Sequence, residues 1–366
     1  MDEEFKALLR LSLTPGIGAT TYRLLLERFS SASSILKATR KELEEVPGIG
    51  PKLSESIARS IETADVEGEL CLAQEHGVKI VPYNSEGYPR NLKSIYDPPL
   101  VLYIKGDISP SDILSMAVVG SRRCTYYGQS QAERIARLLG QRGFTIVSGL
   151  ARGIDTAAHQ GAIKAKARTI AVMGCGLTRI YPRENRDLAE KITQQGAMVS
   201  ELPLQTPPDD RNFPPRNRLI SGLSLGVVVV EAGLRSGSLI TAHWALEQGK
   251  EVFAVPGQVD SPHSRGTHRL IKEGAKLVED ITDIIEELGP LAETIMTREE
   301  ETQDPRSLAM NTNEKKVFAL LSSTPKAIDQ ITQESGLPAS NVSSTLTVLE
   351  IRRLVKQLTG KRFVKA

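Results

Sequence analysis

The stretch Thr145-Ile146-Val147-Ser148-Gly149-Leu150-Ala151-Arg152-Gly153 contains a short apolar run, a turn of small residues and the approach to a helix. β-Branched residues favour a buried strand, and glycine allows the chain to leave that strand sharply. The same order recurs through residues 113–285, which is typical of a doubly wound parallel sheet in an α/β fold. The predicted strands are Met116–Val119, Thr145–Val147, Thr169–Met173, Met198–Val199, Val227–Val230, Val252–Val255 and Lys276–Val278, and two earlier runs, Val78–Tyr83 and Pro99–Ile104, are predicted to extend the sheet.

Small-residue loops follow nearly all of these strands, at the edge of the sheet where such folds bind their ligands. Backbone amides in loops of this kind approach an anion closely, and Arg122 adds a positive charge. One or more phosphate groups are therefore the predicted ligand. The loops are Gly120-Ser121-Arg122, Ser148-Gly149, Gly174-Cys175-Gly176, Ser200-Glu201, Glu231-Ala232-Gly233 with Ser236-Gly237-Ser238, and Pro256-Gly257.

A second cationic stretch is Phe213-Pro214-Pro215-Arg216-Asn217-Arg218-Leu219-Ile220, with Arg211 just before it. Arginine grips phosphate with a planar fork and an aromatic ring gives a base a surface to stack on, which is the combination that single-stranded nucleic acid sites use. The apolar residues after Arg218 are predicted to begin a buried strand.

Composition and charge set wider limits. The chain has 366 residues, 40% hydrophobic and 25% charged, with a formal net charge of +2, so two to four domains of an ordinary globular protein are expected. No apolar run approaches the ~20 residues of a membrane span, and the acidic start differs from a signal peptide, so a cytoplasmic protein is predicted. Cys71, Cys124 and Cys175 have no paired spacing, which argues against a disulfide framework or a metal site.

The N-terminal region, residues 1–65, contains a repeated phrase, Thr14-Pro15-Gly16-Ile17-Gly18 and Val46-Pro47-Gly48-Ile49-Gly50. Each copy stands between two helical apolar patterns, which resembles the helix-hairpin-helix motif of DNA repair proteins. Amides at the start of the helix after such a turn can bind a DNA phosphate, and Lys52 follows the second turn. These hairpins can instead serve as packing modules, and the sequence leaves both possibilities open.

The C-terminal third begins with charge segregation. Residues 279–304 hold ten carboxylates and one arginine, whereas residues 351–366 hold six lysines or arginines and no carboxylate. Residues 286–312 are predicted to be an acidic linker, and residues 313–366 a winged helix with helices at Glu314–Leu321, Ala327–Ser335 and Pro338–Glu350 and a hairpin of Leu354–Leu358 and Arg362–Lys365. The third helix is polar but uncharged, so weak DNA contact or a protein contact is favoured over specific reading of a duplex.

An enzyme is the main alternative to a binding protein. Asp155 and His159 share one helix face, and Glu231 closes a strand, so an acid/base set for a nucleotide-phosphate hydrolase can be imagined. Asp155 can equally cap a helix and His159 can pack on the sheet. The sequence has neither the G-x-G-x-x-G nor the G-x-x-x-x-G-K-[ST] motif, which disfavours a nicotinamide enzyme and an ATPase. A winged-helix regulator that senses a nucleotide is a third possibility.

Seven ordered motifs together resemble the DprA (Smf) family of DNA-processing proteins. They are Val118-Val119-Gly120-Ser121-Arg122; Tyr127-Gly128; Ser148–Asp155 with Ala158-His159; Tyr181-Pro182 with Asn185; Phe213-Pro214 with Arg216-Asn217-Arg218; Ser236–Thr241; and Val255-Pro256-Gly257. The resemblance covers essentially the whole chain. It implies an N-terminal helix-hairpin-helix (SAM-like) domain in residues 1–65, an extended Rossmann domain in residues 66–285 and a C-terminal winged helix.

The resemblance also implies a function. Members of this family bind single-stranded DNA, protect it during natural transformation and load RecA recombinase onto it, as dimers joined through the Rossmann domain and without enzymatic activity or a cofactor. The dimer surface is expected around Leu270, Ile271 and Leu277. Carried onto matching positions, the DNA-binding residues are Gly120, Ser121, Arg122, Ser148, Gly149, Arg183, Arg186, Phe213, Arg216, Asn217, Arg218, Ser236, Gly237 and Ser238, with Arg216 and Phe213 expected to touch DNA and Arg218 to be partly structural.

Overall fold

The chain divides into two units, Met1–Gly289 and Pro290–Ala366. The computed structural model describes residues 3–289, 312–321, 325–351, 354–358 and 360–365. Among these residues, no helix combines the length and the hydropathy that a membrane span requires.

Six helices open the first unit, and two pairs of them form the repeated hairpins. Glycine makes both turns possible, because Gly16 and Gly48 have φ angles of 90° and 87°, which side chains disfavour. Pro51 then occupies the first turn of α5, the helix that follows the turn of the second hairpin, where proline fits best. The helices are α1 (Glu3–Ser12), α2 (Ala19–Phe29), α3 (Ala32–Lys37), α4 (Arg40–Glu44), α5 (Pro51–Thr63) and α6 (Val66–Glu75).

A nine-stranded sheet forms the rest of the first unit, in the order β1-β2-β6-β5-β4-β3-β7-β8-β9. The first two strands extend the sheet at one edge, as the sequence predicted, and they pair antiparallel with each other and with β6. The pairs from β6 to β9 are parallel. The strands are β1 (Val78–Pro82), β2 (Val101–Gly106), β3 (Ser115–Val119), β4 (Thr145–Ser148), β5 (Thr169–Val172), β6 (Ala197–Ser200), β7 (Gly226–Val229), β8 (Glu251–Ala254) and β9 (Lys276–Leu277).

This strand order contains one reversal of direction. From β3 the chain adds β4, β5 and β6 on one side, and it then returns to add β7, β8 and β9 on the other side. The loops after β3 and β7 therefore diverge and open a crevice between them, which is the usual ligand position in doubly wound folds. The α/β fold that the sequence predicts is confirmed, together with its extended sheet.

Helices cover the sheet, and alternate residues of one strand belong to different cores. Ala171 packs with the N-terminal helices, for example, whereas Ile170 and Val172 pack in the other core with Leu219 of α11. Parallel strands that are buried on both faces have continuous apolar sequences, and for this reason these strands could be predicted from the sequence. The helices are α7 (Arg90–Lys93), α8 (Tyr126–Gln141), α9 (Ile154–Lys164), α10 (Arg186–Gln195), α11 (Phe213–Gly222), α12 (Ser238–Glu247), α13 (Arg265–Lys272) and α14 (281–289).

Helix α11 corrects one prediction. The apolar residues after Arg218 complete this helix instead of beginning a strand, and β7 starts only at Gly226. The two prolines at positions 214 and 215 suit the first turn of a helix, where no intrahelical N–H partner is needed. Leu219 and Ile220 are buried on the side of α11 that faces the sheet.

The second unit is a small winged-helix domain. Its helices are α15 (Thr312–Ala319), α16 (Ile328–Ser335) and α17 (Ala339–Ile351), and its sheet has the order β10-β12-β11, with β10 (Lys326–Ala327), β11 (Val355–Leu358) and β12 (Arg362–Lys365). Val317, Ile331 and Leu349 lie in its core. Of the predicted acidic linker, residues 286–289 belong to α14, whereas residues 290–311 lie outside the described residues.

Candidate nucleic-acid interface

The crevice between β3 and β7 is a cleft with a volume of about 670 Å³. Its walls come from the loops after these two strands and from the first turns of α11 and α12. Of the predicted binding residues, it brings together Gly120, Ser121, Arg122, Phe213, Arg216, Asn217, Ser236, Gly237 and Ser238.

Phe213 is the aromatic residue of the cleft, at the start of α11. Its ring is half-buried, and the ring of Tyr181 stacks beside it at 5.8 Å with an interplanar angle of 26°. The Arg122 Cζ atom lies over the Phe213 ring, 4.9 Å from its centroid. A Cβ on Gly174 would lie only 2.6 Å from the Phe213 ring, so glycine at that position leaves room for it. The ring thus holds a planar guanidinium at the cleft wall, and bases stack on both kinds of plane.

Backbone hydrogen bonds fix the loop that carries Arg122. The Ser121 N–H donates to the carbonyl of Glu231 at 2.7 Å, and the Ile154 N–H donates to the Ser121 carbonyl at 3.2 Å. A Cβ on Gly120 would come within 2.6 Å of the Ile154 side chain and 2.8 Å of the Glu231 carbonyl. The loop is therefore held between β7 and α9, and only glycine fits at its first position.

The buried Glu231 carboxylate stabilises the same loop from below. It accepts hydrogen bonds from the Thr125 N–H at 3.0 Å and from the Thr125 Oγ1 hydroxyl at 2.6 Å. His263 Nδ1 lies 3.4 Å from the carboxylate. Glu231 therefore anchors the start of α8, with its oxygens directed at Thr125.

The loop after β4 uses its donors internally. The N–H groups of Gly149 and Ala151 donate to Asp155 Oδ2 at 3.2 and 3.3 Å, and the Ser148 hydroxyl donates to the Val118 carbonyl at 2.7 Å. Of these residues, Ser148 and Gly149 are the two that the sequence analysis assigned to phosphate. Asn185 fastens the loop on its other side, because its amide donates to the Leu150 carbonyl at 2.9 Å.

Arg216 is only 4% exposed, unlike an arginine on a surface that faces DNA. The Arg216 Nη1 donates to the Val172 carbonyl at 2.6 Å. A Cβ on Gly149 would lie 2.1 Å from the Arg216 Nη1, so only glycine fits there. Burial lowers the pKa of Arg216 to about 10, while the attraction of Asp155 acts in the opposite direction. Burial likewise raises the pKa of Asp155, and Arg216 opposes that change. The two groups are buried neighbours of opposite charge in the wall of the cleft, and each opposes the pKa shift of the other.

His159 lies fully buried below this pair. Its Nδ1 is 2.7 Å from the Thr169 hydroxyl, and burial lowers its pKa to about 3. It is therefore neutral at physiological pH and packs on the sheet, which is the alternative that the sequence allowed.

Arg218 is engaged by two carboxylates. Its Nε lies 2.8 Å from Asp97 and its Nη2 2.5 Å from Glu201. Burial raises the pKa of Glu201, and Arg218 opposes this. Arg218 is not among the residues that line the cleft. Its two ion pairs fix α11 to the residue after β6 and to the segment before β2.

Several cationic residues lie elsewhere on the surface. Arg183, just before α10, and Arg186, the first residue of α10, are exposed, and neither lines the cleft. Lys52 is exposed in the first turn of α5, after the second hairpin.

The opposite wall of the cleft is the turn before α12. The Asn217 amide donates to the Gly237 carbonyl at 3.2 Å, and the hydroxyls of Ser236 and Ser238 lie 2.8 Å apart. Two exposed arginines that the sequence analysis did not select also line the cleft, Arg123 and Arg235. Each stands within or beside a loop that had been selected, so loop position together with charge would have found them.

Comparison with known families identifies the relatives of this chain. The sequence model of the family DNA recombination-mediator protein A matches residues 79–289, more than half of the chain. The chain belongs to this family, DprA. A DprA winged helix domain matches residues 299–361, and a SAM-like tandem helix-hairpin-helix matches residues 5–63. The family that the seven motifs indicated is therefore confirmed, and the chain is a DprA-family DNA-processing protein.

Individual DprA relatives cover much of the chain. Protein Smf of Escherichia coli is 40% identical over 81% of this chain and 79% of its own length. The DNA processing protein DprA of Bacillus subtilis is 48% identical over 60% of this chain and 74% of its own length. The crystal structure of Streptococcus pneumoniae DprA has a TM-score of 0.67 and 35% identity, and covers 76% of this chain and 95% of that one.

A further DprA structure concerns DNA binding. It describes the single-stranded DNA binding mode of DNA processing protein A from Helicobacter pylori. It has a TM-score of 0.52 and 33% identity, and covers 58% of this chain and 95% of that one.

Proposed function

We propose that this chain binds single-stranded DNA in the cleft between β3 and β7. The observation that carries the proposal is the guanidinium of Arg122 held 4.9 Å from the Phe213 ring at the wall of that cleft. A base can stack on this assembly while neighbouring phosphates meet positive charge. The H. pylori relative, whose structure was determined for its single-stranded DNA binding mode, supports the same ligand.

The proposed contacts are divided by burial. Arg122, Arg123 and Arg235 are exposed and would meet phosphates, and Phe213 would support a base. Gly120, Ser121, Asn217, Ser236, Gly237 and Ser238 would shape the cleft. Arg216 would act at the buried side of the cleft, and Arg218, Ser148 and Gly149 from beneath it, while Arg183, Arg186 and Lys52 would be outlying contacts for a longer strand.

We propose that binding occurs without chemical conversion of the DNA. The three side chains from which an acid/base set could be assembled are each used structurally. Asp155 accepts backbone hydrogen bonds, His159 is buried against Thr169, and Glu231 anchors Thr125. Asp155 lines the cleft, but its carboxylate accepts hydrogen bonds from the Gly149 and Ala151 N–H groups, whereas a hydrolase would need such a group free to accept a proton from its substrate or from water.

The partners proposed for the bound strand follow from the family. We propose that the protein protects single-stranded DNA in the cytoplasm, loads RecA onto it, and acts as a dimer through the Rossmann domain. Of the three residues considered for the dimer surface, Leu277 is 39% exposed on the edge strand β9, whereas Leu270 is buried in the core. An exposed leucine on an edge strand fits a contact with a second copy.

A titration with labelled strands tests the proposal. A fluorescein-labelled oligothymidylate should bind the wild-type chain more tightly than a duplex of equal length, with an affinity that falls as salt rises. Arg122→Ala should weaken that binding, and mononucleotides should remain unhydrolysed in the same samples. A strong preference for the duplex, or hydrolysis that Glu231→Ala abolishes, would overturn the proposal.

A further inference from the structure

An exposed tyrosine stands where the N-terminal helices meet the sheet. Tyr96, in the segment before β2, is 72% exposed, and the Arg23 Cζ atom of α2 lies 5.1 Å from the centroid of its ring. The Arg23 Nη2 also donates to the Tyr96 hydroxyl at 3.4 Å. We call these two side chains the outer platform. Most of the ring surface is in water and is therefore available to a ligand.

The backbone that carries Tyr96 is fixed on both sides. Ile95 is buried in the core beneath α11, and a Cβ on Gly222 would lie 2.9 Å from its side chain. Asp97 pairs with the Arg218 Nε at 2.8 Å. The exposed ring is thus presented from an ordered segment, so a ligand that binds to it has little ordering cost to overcome.

The outer platform repeats the chemistry of the cleft wall. In the cleft, the Arg122 Cζ lies 4.9 Å from the centroid of the Phe213 ring, and in the outer platform the corresponding distance is 5.1 Å. Arg23 is exposed and, among the described residues, forms no ion pair with a carboxylate. Bases stack on aromatic rings and on guanidinium planes, and an unpaired guanidinium can also bind a phosphate.

The outer platform lies at the same edge of the sheet as the cleft. Tyr103 of β2 stands opposite Ser200, the last residue of β6, in an antiparallel pair, so the segment before β2 lies where the parallel strands end. Gly174, after β5, lies against the Phe213 ring, and only β6 separates β5 from β2. Neighbouring strands are about 4.8 Å apart, so the outer platform is about 10 Å across the sheet from the cleft wall.

We propose that the outer platform is a second stacking site for single-stranded DNA, at which Tyr96 and Arg23 hold a base of the strand that also occupies the cleft. The inference rests on the proposed function and adds the path of the strand outside the cleft, past the end of β6 towards the N-terminal helices. This contact uses the side chain of an α2 residue instead of the amides of the hairpin turns. Stacking tolerates every base, so the outer platform adds affinity for longer strands without sequence preference.

Competition by strands of different length tests the inference on the full chain. Unlabelled oligothymidylates, from the dinucleotide to about 16 nucleotides, the upper end of single-strand site sizes, compete against a labelled oligothymidylate. Tyr96→Ala should weaken the longest competitor about fivefold or more, the loss expected for one stacked base, and leave the dinucleotide unchanged. Tyr96→Phe keeps the ring and should stay close to wild type at every length. Phe213→Ala should instead weaken all lengths.

Two arginines of α2 provide a matched pair. Arg23→Ala should weaken the longest competitor about two- to fivefold, the range of an exposed cation–π contact. Arg28 of the same helix is also exposed but pairs with Glu45 Oε2 at 3.4 Å, so Arg28→Ala should change no affinity. Equal losses in the two variants would mean that α2 supplies only general positive charge, and the inference would fail.

The outcomes separate this inference from the proposed function. If Tyr96→Ala binds the longest competitor as the wild type does, while Arg122→Ala still weakens binding, the strand does not reach the outer platform and only this inference fails. An equal loss at all lengths in Tyr96→Ala has the same meaning, because it would place the effect in the cleft. If the labelled strand does not bind the wild-type chain at all, the proposed function itself fails.

Discussion

Replacement of Arg216 by methionine distinguishes a buried structural arginine from a DNA-contacting one. The change keeps much of the side-chain volume but removes the positive charge beside Asp155 and the donor to the Val172 carbonyl. Removal of one partner from a buried ion pair costs about 3–5 kcal/mol; Arg216 and Asp155 oppose each other's pKa shift without a direct ion pair, so the low end of that range is expected. Arg216→Met should therefore lower the free energy of unfolding of the first unit by about 3 kcal/mol or more.

The expected loss depends on pH, with a sign that follows from Asp155. Burial already raises the pKa of this carboxyl, and Arg216 is the group that opposes the rise. Without Arg216 the pKa of Asp155 in the folded state rises further. The folded variant then keeps its neutral carboxyl at low pH, and its free energy of unfolding falls as the pH rises through that pKa. The difference in the free energy of unfolding between the wild type and Arg216→Met should be larger at pH 8 than at pH 5.

Urea unfolding followed by tryptophan fluorescence measures this effect in one unit. The chain has a single tryptophan, Trp244, which lies in α12 of the first unit. Asp155→Asn in the Arg216→Met background removes the orphaned charge and should restore a large part of the stability. Arg122→Met is the matched control: it removes an exposed arginine from the same cleft and should lower DNA affinity while leaving the urea midpoint unchanged. The reasoning is refuted if Arg216→Met unfolds like the wild type and loses only DNA binding.

Three further predictions concern the cleft and the core beneath it. Phe213→Ala should weaken binding of an oligothymidylate by about 1–3 kcal/mol in an anisotropy titration, with Phe213→Tyr close to wild type; equal affinities would make Phe213 a packing residue. Arg123→Ala and Arg235→Ala should each reduce the slope of log affinity against log salt by about 0.7, the value for one phosphate on a single strand, and an unchanged slope in both would place phosphates elsewhere. His159 has a pKa lowered to about 3 against an ordinary value of 6.5. As the pH drops below about 6.5, the unfolded chain protonates this imidazole before the folded chain does, so the free energy of unfolding should fall by up to ~1.4 kcal/mol per pH unit. Urea unfolding at several pH values measures this slope, and His159→Gln should lack that part of it.

Much of the fold could be read from the sequence because burial dictates composition. The strands of the parallel sheet are covered on both faces, so each had to be a continuous apolar run, and Val227–Val230 was predicted one residue away from the observed Gly226–Val229. The two hairpins were visible because their turns require left-handed glycines at Gly16 and Gly48. Helix α11 was not recognised as a continuous helix, because two prolines and two arginines interrupt its apolar pattern.

The position of the candidate site could be predicted from the sequence, but the separate roles of its arginines could not. Local sequence shows that Arg122, Arg216 and Arg218 are cationic; it does not show which carboxylates the fold brings to them. Arg216 meets Asp155 from a different strand–helix unit, and Arg218 meets Glu201 at the end of β6. Whether an arginine is buried depends on such long-range partners. Buried and exposed arginines can therefore be told apart only in the folded structure.

The distribution of arginines explains how a chain with a net charge of only +2 can present a site for a polyanion. Arg218 of α11 is buried and paired with two carboxylates, and Arg216 is buried near Asp155 and bonded to the Val172 carbonyl. Both hold the helix whose first residue is Phe213. Arg122 is left exposed, without a carboxylate partner among the described residues, and the ring fixes its position. The local field at the cleft therefore comes from a few unmatched charges in fixed places, and these act on a bound phosphate more strongly than the net charge suggests.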